Sequence, residues 1–90
     1  MKTHELKTDP GCFCMSFCGS KNFEIRKNDR DFKVGDLLML KETSFSGDEM
    51  KEGKPLEYTG RVLSRRINYI LPGGKYGLSP EFVVMDVVKI

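Results

Sequence analysis

Apolar and polar residues alternate along several short stretches of the chain, which is the pattern expected of half-buried β-strands. These stretches are His4–Thr8, Asn22–Lys27, Leu37–Lys41, Tyr58–Leu71 and Phe82–Ile90. The third is an apolar run, and the fourth is long enough to bend or to divide into two strands. The last has apolar residues on both faces, which predicts a central or barrel-closing strand. The pattern therefore predicts about five strands.

One short helix is predicted near the N-terminus. Asp9 precedes Pro10, a pair typical of an N-cap followed by the first helical residue. Gly19 suits the left-handed position that ends a helix. Between them lies an apolar stripe made of Phe13, Cys14, Phe17 and Cys18. A helix this short is not stable alone, so we expect it to dock on the strands.

Strands that follow one another without intervening helices argue against a doubly wound α/β sheet. We predict a mainly β (α+β) fold, a small pseudo-barrel of about five to six strands with one short N-terminal helix, because closure removes exposed strand edges. The 90 residues fit a single domain over residues 1–90. The polar segment Thr43–Lys54 is predicted to be an exposed, mobile arm, and a bulge is expected near Ser64–Arg66.

Composition limits the classes of function. The formal net charge of +2 does not demand a polyanionic partner, so any nucleic-acid binding depends on local clustering of charge. No apolar run reaches the roughly 18 residues of a membrane span, and no apolar signal segment follows Met1. We therefore expect a cytoplasmic protein without membrane association.

Three cysteines, Cys12, Cys14 and Cys18, lie within seven residues of sequence. An odd number cannot form a disulfide framework, which indicates a reducing environment. Their spacing differs from that of paired zinc ligands, and His4 is the only histidine that could join them. We interpret them as small core residues of the helix and predict no metal site and no cofactor.

The strand Asn22–Lys27 is the most informative stretch. It places Phe23 and Ile25 on one face, predicted to be buried, and Glu24 and Arg26 on the other, predicted to be charged and wet. Such a strand can build a binding site or can simply be the edge of a barrel.

Lys21, Glu24 and Arg26 form the first candidate site. A guanidinium suits a phosphate or a base edge, and an ammonium acts as a point charge. Glu24 can accept a hydrogen bond from an exocyclic amine, as carboxylates do from cytosine N4. The alternative is an ordinary surface pair of Glu24 with Arg26, contributing about 0–1 kcal/mol. If the residues form a site, Lys21→Ala and Arg26→Ala should weaken ligand binding with little change in melting temperature.

Basic residues on two segments form a second candidate. One segment carries Arg26, Lys27, Arg30 and Lys33, and the other carries Arg61, Arg65, Arg66 and Lys75. Adjacent in space, they would form a stripe suited to a phosphate backbone, with nearby aromatic rings for base stacking. The alternative is that neighbouring carboxylates neutralise the stripe. The glycine-rich loop after Pro72 can also cover a cleft, with Lys75 and Tyr76 facing the ligand.

The string Gly19–Arg26 has the form G-x-K-x-x-E-x-R, which resembles the signature of ASCH domains in the PUA-like β-barrel superfamily. Further segments resemble the DUF3850 group of small bacterial and phage proteins. They are His4–Lys7, Phe23–Arg30, Phe32–Asp36, Tyr58–Arg61, Gly77–Leu78 and Val83–Met85. The resemblance implies a pseudo-barrel whose signature strand borders a cleft, with RNA binding as the usual assignment.

Some ASCH-like proteins are amidohydrolases of N4-acetylated cytidine, in which the motif lysine acts with a threonine and a later glutamate. Lys21 matches the lysine, Glu24 replaces the threonine, and Glu57 or Glu81 could stand in for the glutamate. A catalytic lysine must be neutral to act as nucleophile or base, so an ion pair between Lys21 and Glu24 would favour binding over catalysis.

We therefore predict a module that binds RNA or a nucleotide in a cleft. Its predicted binding residues are Lys21, Glu24, Arg26, Arg61, Arg65, Lys75 and Tyr76. The first alternative is an amidohydrolase of an N4-acylated cytidine-like nucleoside, using Lys21, Glu24 and Glu81. The second is a protein-interaction domain of phage origin, which an exposed apolar patch without a cleft would favour.

Overall fold

The computed structural model of the protein describes residues 1–90 as one five-stranded sheet with two helices. The elements are β1 (Thr3–Thr8), α1 (Pro10–Phe17), β2 (Phe23–Lys27), β3 (Leu37–Thr43), α2 (Gly47–Lys51), β4 (Tyr58–Pro72) and β5 (Phe82–Lys89). The strand order is β1-β3-β4-β5-β2, and only the β1–β3 pair is parallel. The predicted mainly β fold with an early helix is confirmed, and β5 is a central strand as expected.

The sheet curls into a half-barrel and leaves a gap, which we call the seam, between its edge strands β1 and β2. Two arginines cross the seam. Arg26 Nη1 donates to the main-chain oxygen of Lys7 at 2.9 Å, and Arg30 Nη1 donates to that of Glu5 at 2.6 Å. These donors satisfy carbonyls of β1 that no neighbouring strand pairs, so the seam protects an otherwise open sheet edge.

The core lies inside the half-barrel. It consists of Leu6, Phe32, Leu38, Leu40, Ile67, Val83, Met85 and Val87. Leu38, Leu40 and Met85 have no exposed surface, and burying such side chains stabilises a fold by about 1.5–3 kcal/mol each. β2 alone among the strands contributes no residue to this apolar core.

β2 faces the opposite way from the prediction. Its register with β5 pairs Glu24 with the buried Met85, and directly paired residues project to the same side of a sheet. Glu24 and Arg26 therefore point inward, whereas Phe23 and Ile25 are 44% and 52% exposed. The prediction that the charged face is wet was wrong, because alternation gives the period of a strand but not which face meets the core.

The predicted ends of α1 are confirmed. The helix begins at Pro10 and is followed by Gly19 in the left-handed region, with φ of 89°. Asp9 holds the N-cap position, but its side chain makes no capping bond to α1. Instead its Oδ1 accepts a hydrogen bond from the main-chain nitrogen of Gly47 at 3.1 Å, at the start of α2.

The buried face of α1 differs from the predicted stripe. Phe13 and Ser16 are its buried residues, and Arg65 of β4 donates to the main-chain oxygen of Ser16 at 2.9 Å. All three cysteines are exposed, as is Phe17. The interpretation of the cysteines as core residues was therefore wrong, because the helix turns its Phe13–Ser16 edge toward the sheet.

The arm between β3 and β4 contains α2, which was not predicted. Ser46 Oγ accepts from the main-chain nitrogen of Glu49, and Glu49 Oε1 accepts from that of Ser46, so the two form a capping box. The pairing of β4 is irregular with β5 between Ile67 and Tyr69 and with β3 between Lys41 and Thr43, rather than at Ser64–Arg66. Neither helix has the length and apolar character needed to cross a bilayer.

Candidate functional site

Two adjoining clefts open along the seam. The first cleft has a volume of about 300 Å³, at the lower end of the range for small-molecule sites. It is lined by Lys7, Thr8, Asp9, Cys12, Lys21, Phe23, Glu24, Ile25 and Arg26. The second cleft, of about 160 Å³, is lined by Leu6, Lys7, Arg26, Lys27, Asp29, Arg30 and Phe32. Lys7 and Arg26 line both, so the two clefts meet at Arg26.

A buried carboxylate lies in the wall of the first cleft. Glu24 is 2% exposed, and its Oε2 lies 2.7 Å from Lys21 Nζ. Its Oε1 lies 3.0 Å from Arg26 Nη2 and 3.1 Å from Arg26 Nε. A buried carboxylate is tolerated only when it is paired and hydrogen-bonded. We call this arrangement the Lys21–Glu24–Arg26 triad; it carries one net positive charge.

The turn between α1 and β2 positions Lys21. The left-handed Gly19 ends the helix, and the main-chain nitrogen of Lys21 then donates to the oxygen of Met15 at 3.0 Å. Asn22 Nδ2 donates to the oxygen of Gly19 at 2.8 Å, which closes the turn. Lys21 Nζ also donates to the oxygen of Phe23 at 2.7 Å, so its ammonium is held over the start of β2.

The triad keeps hydrogen-bonding capacity for a ligand. Arg26 has five N–H donors, and its hydrogen bonds go to Glu24, to the oxygen of Lys7 and, at 3.4 Å, to Thr8 Oγ1. One N–H at Nη1 stays unused. Lys21 uses two of its three donors, on Glu24 and Phe23. The arrangement can therefore present two cationic donors to an acceptor in the first cleft.

The structure brings Lys21, Glu24 and Arg26 together, but Arg65 lies elsewhere. Arg65 is 6% exposed, and its guanidinium donates to the main-chain oxygens of Ser16 and Ser64. It ties α1 to β4 and faces neither cleft. The expectation that Arg65 binds ligand is thus not supported by its position, because the side chain is buried between α1 and β4 and lines neither cleft.

Arg61, Lys75 and Tyr76 also lie outside the lining of both clefts. The guanidinium of Arg61 packs over the ring of Phe13 at 4.9 Å and lies 3.8 Å from Glu42 Oε1. Lys75 and Tyr76 are in the exposed loop between β4 and β5, with Tyr76 89% exposed. The loop was predicted to cover a cleft, but neither residue lines one.

The two basic segments are not neighbours in the sheet. β5 lies between β2 and β4, so the predicted stripe across adjacent strands does not form. The segment that contains Lys27 and Arg30 instead lines the second cleft. Glu81, the candidate catalytic carboxylate, is exposed and lines neither cleft.

Sequence reasoning missed the contribution of β1 and the start of α1. Lys7, Thr8, Asp9 and Cys12 line the first cleft, yet no local pattern marks them as a site. They reach it because β1 and β2 are the two edges of the curled sheet, a juxtaposition that only the topology creates. No group of three or more residues that could hold a metal ion is present among the histidine, cysteine and acidic side chains.

Two groups outside the clefts have shifted pKa values. The hydroxyl and main-chain groups of Ser20, next to the exposed Cys18, lower the pKa of that thiol. Burial opposes ionisation of Asp36, but hydrogen bonds from His4 and from the main-chain nitrogens of Lys2 and Lys33 outweigh it and hold the Asp36 pKa below its ordinary value. The His4–Asp36 contact, at 2.8 Å, joins the starts of β1 and β3.

Comparison with known families gives one match. A family model described as a domain of unknown function, DUF3850, matches residues 3–87, which include every residue of both clefts. No curated protein matches the chain.

Proposed function

The chain belongs to the DUF3850 family, and we propose that it is a binding module that recognises RNA or a nucleotide in the first cleft. The observation that carries this proposal is the Lys21–Glu24–Arg26 triad. Its buried carboxylate holds two cations in fixed positions at the wall of a cleft large enough for a small molecule. Pre-positioned donors of this kind reduce the entropy lost when a ligand binds.

The remaining donors and acceptors of the triad suit the edge of a nucleobase. Lys21 and Arg26 each offer an N–H to a carbonyl or ring nitrogen. Oε2 of Glu24 accepts from Lys21 and has a second lone pair available for an exocyclic amine. A cytosine-like edge presents an amine beside acceptors, so it matches this set.

We further propose that the fold is of the ASCH type within the PUA-like superfamily. Support comes from the way the G-x-K-x-x-E-x-R string is used. Gly19 ends α1, and Lys21, Glu24 and Arg26 converge on one cleft. A string of scattered surface residues would not have converged in this way.

The amidohydrolase alternative has less support. Lys21 Nζ is 2.7 Å from a carboxylate that is itself buried, an arrangement that favours a charged ammonium over the neutral amine needed for attack. The proposed second carboxylate, Glu81, does not line the cleft. Both points favour binding over catalysis.

The protein-interaction alternative is supported by exposed apolar residues on the outer face of β2. Phe23 and Ile25, which also form part of the rim of the first cleft, are half-exposed there, and Tyr69 of β4 is 58% exposed. This surface coexists with a charged cleft, and the cleft carries the more specific chemistry, so ligand binding is the function that we propose.

The test is to titrate the purified protein with the four ribonucleosides, their monophosphates and short RNA oligomers, following backbone amide shifts by NMR. We expect shifts at residues 21–26 and about tenfold weaker binding in Lys21→Met, since an ionic hydrogen bond is lost. Lys33→Met is the matched control, because Lys33 is exposed, lines neither cleft and should leave binding unchanged.

Product formation from N4-acetylcytidine should be measured in the same samples. Turnover that disappears in Lys21→Met would replace binding with hydrolysis as the function. Absence of any shift at residues 21–26 with every nucleoside, nucleotide and oligomer would refute the proposal.

A further inference from the structure

The second cleft is the most cationic concavity of the molecule. Four cationic side chains, Lys7, Arg26, Lys27 and Arg30, line it with a single carboxylate, that of Asp29. The first cleft has three cations and two carboxylates. The second cleft therefore carries an excess of three positive charges, against one in the first. A concave, partly desolvated wall concentrates such charge and selects an anion.

Its single carboxylate does little to neutralise this charge. The Asp29 side chain is 65% exposed, and its Oδ1 lies 4.0 Å from Arg30 Nε. An exposed pair at that separation contributes little and is screened by salt. The charges of Lys7, Lys27 and Arg30 are thus available to a ligand, whereas that of Arg26 is shared with the Glu24 carboxylate.

The cations of the second cleft divide into two fixed and two free groups. Arg26 and Arg30 are fixed by their hydrogen bonds across the seam to β1. Lys7 and Lys27 make no ion pair and no side-chain hydrogen bond in the structure. Fixed guanidiniums that retain free N–H groups, together with unpaired ammonium groups, are the usual elements of a phosphate site.

Arg26 connects the two clefts. It lines both, donating to Glu24 on the side of the first cleft and lying beside Lys27 and Arg30 in the second. A ligand seated on the triad would therefore extend past Arg26 into the cationic cleft. The apolar floor that Leu6 and Phe32 provide there offers no competing counter-charge.

We propose that the second cleft is a phosphate subsite, so that the protein takes a phosphorylated ligand, with its base in the first cleft and its phosphate in the second. This inference rests on the proposed function. A free nucleotide and an internal phosphodiester of RNA both supply the same chemistry. A nucleoside without phosphate would leave the cationic cleft empty.

The test compares each ribonucleoside with its 5′- and 3′-monophosphates by calorimetry at low and moderate salt. We expect one monophosphate to bind about tenfold more tightly than its nucleoside, with the advantage shrinking as salt rises. Lys27→Met should reduce this advantage severalfold and leave nucleoside affinity unchanged, because Lys27 lines only the second cleft. Lys33→Met, again the control, should keep the advantage.

Equal affinity for nucleoside and monophosphate, or an advantage in Lys27→Met as large as in the wild type, would overturn the subsite while the proposed base site stands. Inorganic phosphate, followed through the amide shifts of residues 27–30, separates the remaining cases. Phosphate shifts without nucleoside binding would support the subsite and refute the base site, whereas no shift from any probe would overturn both.

A dinucleotide distinguishes the two sources of phosphate. If the advantage persists when the phosphate is esterified in a dinucleotide, the ligand is an RNA strand. If esterification removes the advantage, the subsite requires a terminal phosphate and the ligand is a free nucleotide. Either result supports a phosphate subsite.

Discussion

Arg26 on β2 donates from Nη1 to the main-chain oxygen of Lys7 on β1 at 2.9 Å, across the one gap in the sheet. The same guanidinium holds Glu24 through Nε and Nη2. One side chain therefore closes the half-barrel, balances a buried charge and forms the wall between the two clefts. Stability and binding are coupled at this residue.

We predict that Arg26→Ala lowers the free energy of unfolding by about 2–4 kcal/mol, because it leaves Glu24 with one cation and the Lys7 oxygen without its donor. The sequence alone predicted almost no change in melting temperature for this variant, and the contacts across the seam reverse that expectation. Urea denaturation measures the loss.

Arg66→Ala is the matched control for this variant. Arg66 is exposed on β4 and makes no ion pair, so the change should stay within about 0.5 kcal/mol. An Arg26→Ala loss no larger than that of Arg66→Ala would show that the seam contacts do not stabilise the fold.

A double-mutant cycle on Lys21 and Glu24 tests the buried pair. We expect Lys21→Met and Glu24→Gln to be coupled by at least about 1 kcal/mol in unfolding free energy, because the carboxylate is almost fully buried. The exposed Lys41–Glu5 pair, with side chains 32% and 67% exposed, serves as the comparison and should show less than about 0.5 kcal/mol. Equal coupling in both cycles would contradict a special role for burial.

The sequence revealed the strands and the first helix because periodicity and end signals are local. Pro10 and Gly19 bound α1 as their conformational preferences dictate. The inward face of β2 was not predictable in the same way. Glu24 is acceptable inside only because Arg26 and Lys21 accompany it, and which face turns inward is fixed by the register with β5.

Only part of the candidate site was predictable, because some of its residues come from strands that are distant in sequence. The motif supplied Lys21, Glu24 and Arg26, which are close in sequence. Lys7 joins them through the curl of the sheet, which brings its edge strands β1 and β2 together. Arg61 and Arg65, which were grouped with the triad by charge, are instead engaged by contacts near α1.

Gly73, in the loop after β4, is predicted to tolerate no side chain. A Cβ there would clash with the main-chain oxygens of Ser79 and Phe82, so Gly73→Ala should destabilise the protein by about 1–3 kcal/mol. Gly11→Ala is the control, because a Cβ at this helical position meets nothing within 4 Å and should stabilise by about 0.5–1 kcal/mol. Thermal unfolding of both variants measures these changes in stability. A melting temperature of Gly73→Ala equal to that of the wild type would mean that the loop shifts to make room for the Cβ at no cost.

Lowering the pH should reduce the stability of the folded protein through protonation of Asp36. Burial raises the pKa of this carboxyl, but the hydrogen bonds from His4, Lys2 and Lys33 outweigh that effect and leave the pKa below its ordinary value of about 3.9. At a pH between the lowered and the ordinary pKa, the unfolded chain binds the proton more readily than the folded one. The contribution of Asp36 is therefore complete above the ordinary pKa and is lost as the pH falls through the lowered one.

The expected result is that unfolding free energy drops in the wild type as the pH falls below the ordinary carboxyl pKa of about 3.9, and drops less in Asp36→Asn, which has no carboxyl to titrate. Asp31→Asn is the control, since its side chain is 70% exposed and should retain the wild-type slope. Urea denaturation at a series of pH values above and below that pKa measures the unfolding free energy of the wild type and of both variants. Identical slopes in the wild type and Asp36→Asn would place the acid sensitivity in other carboxyl groups.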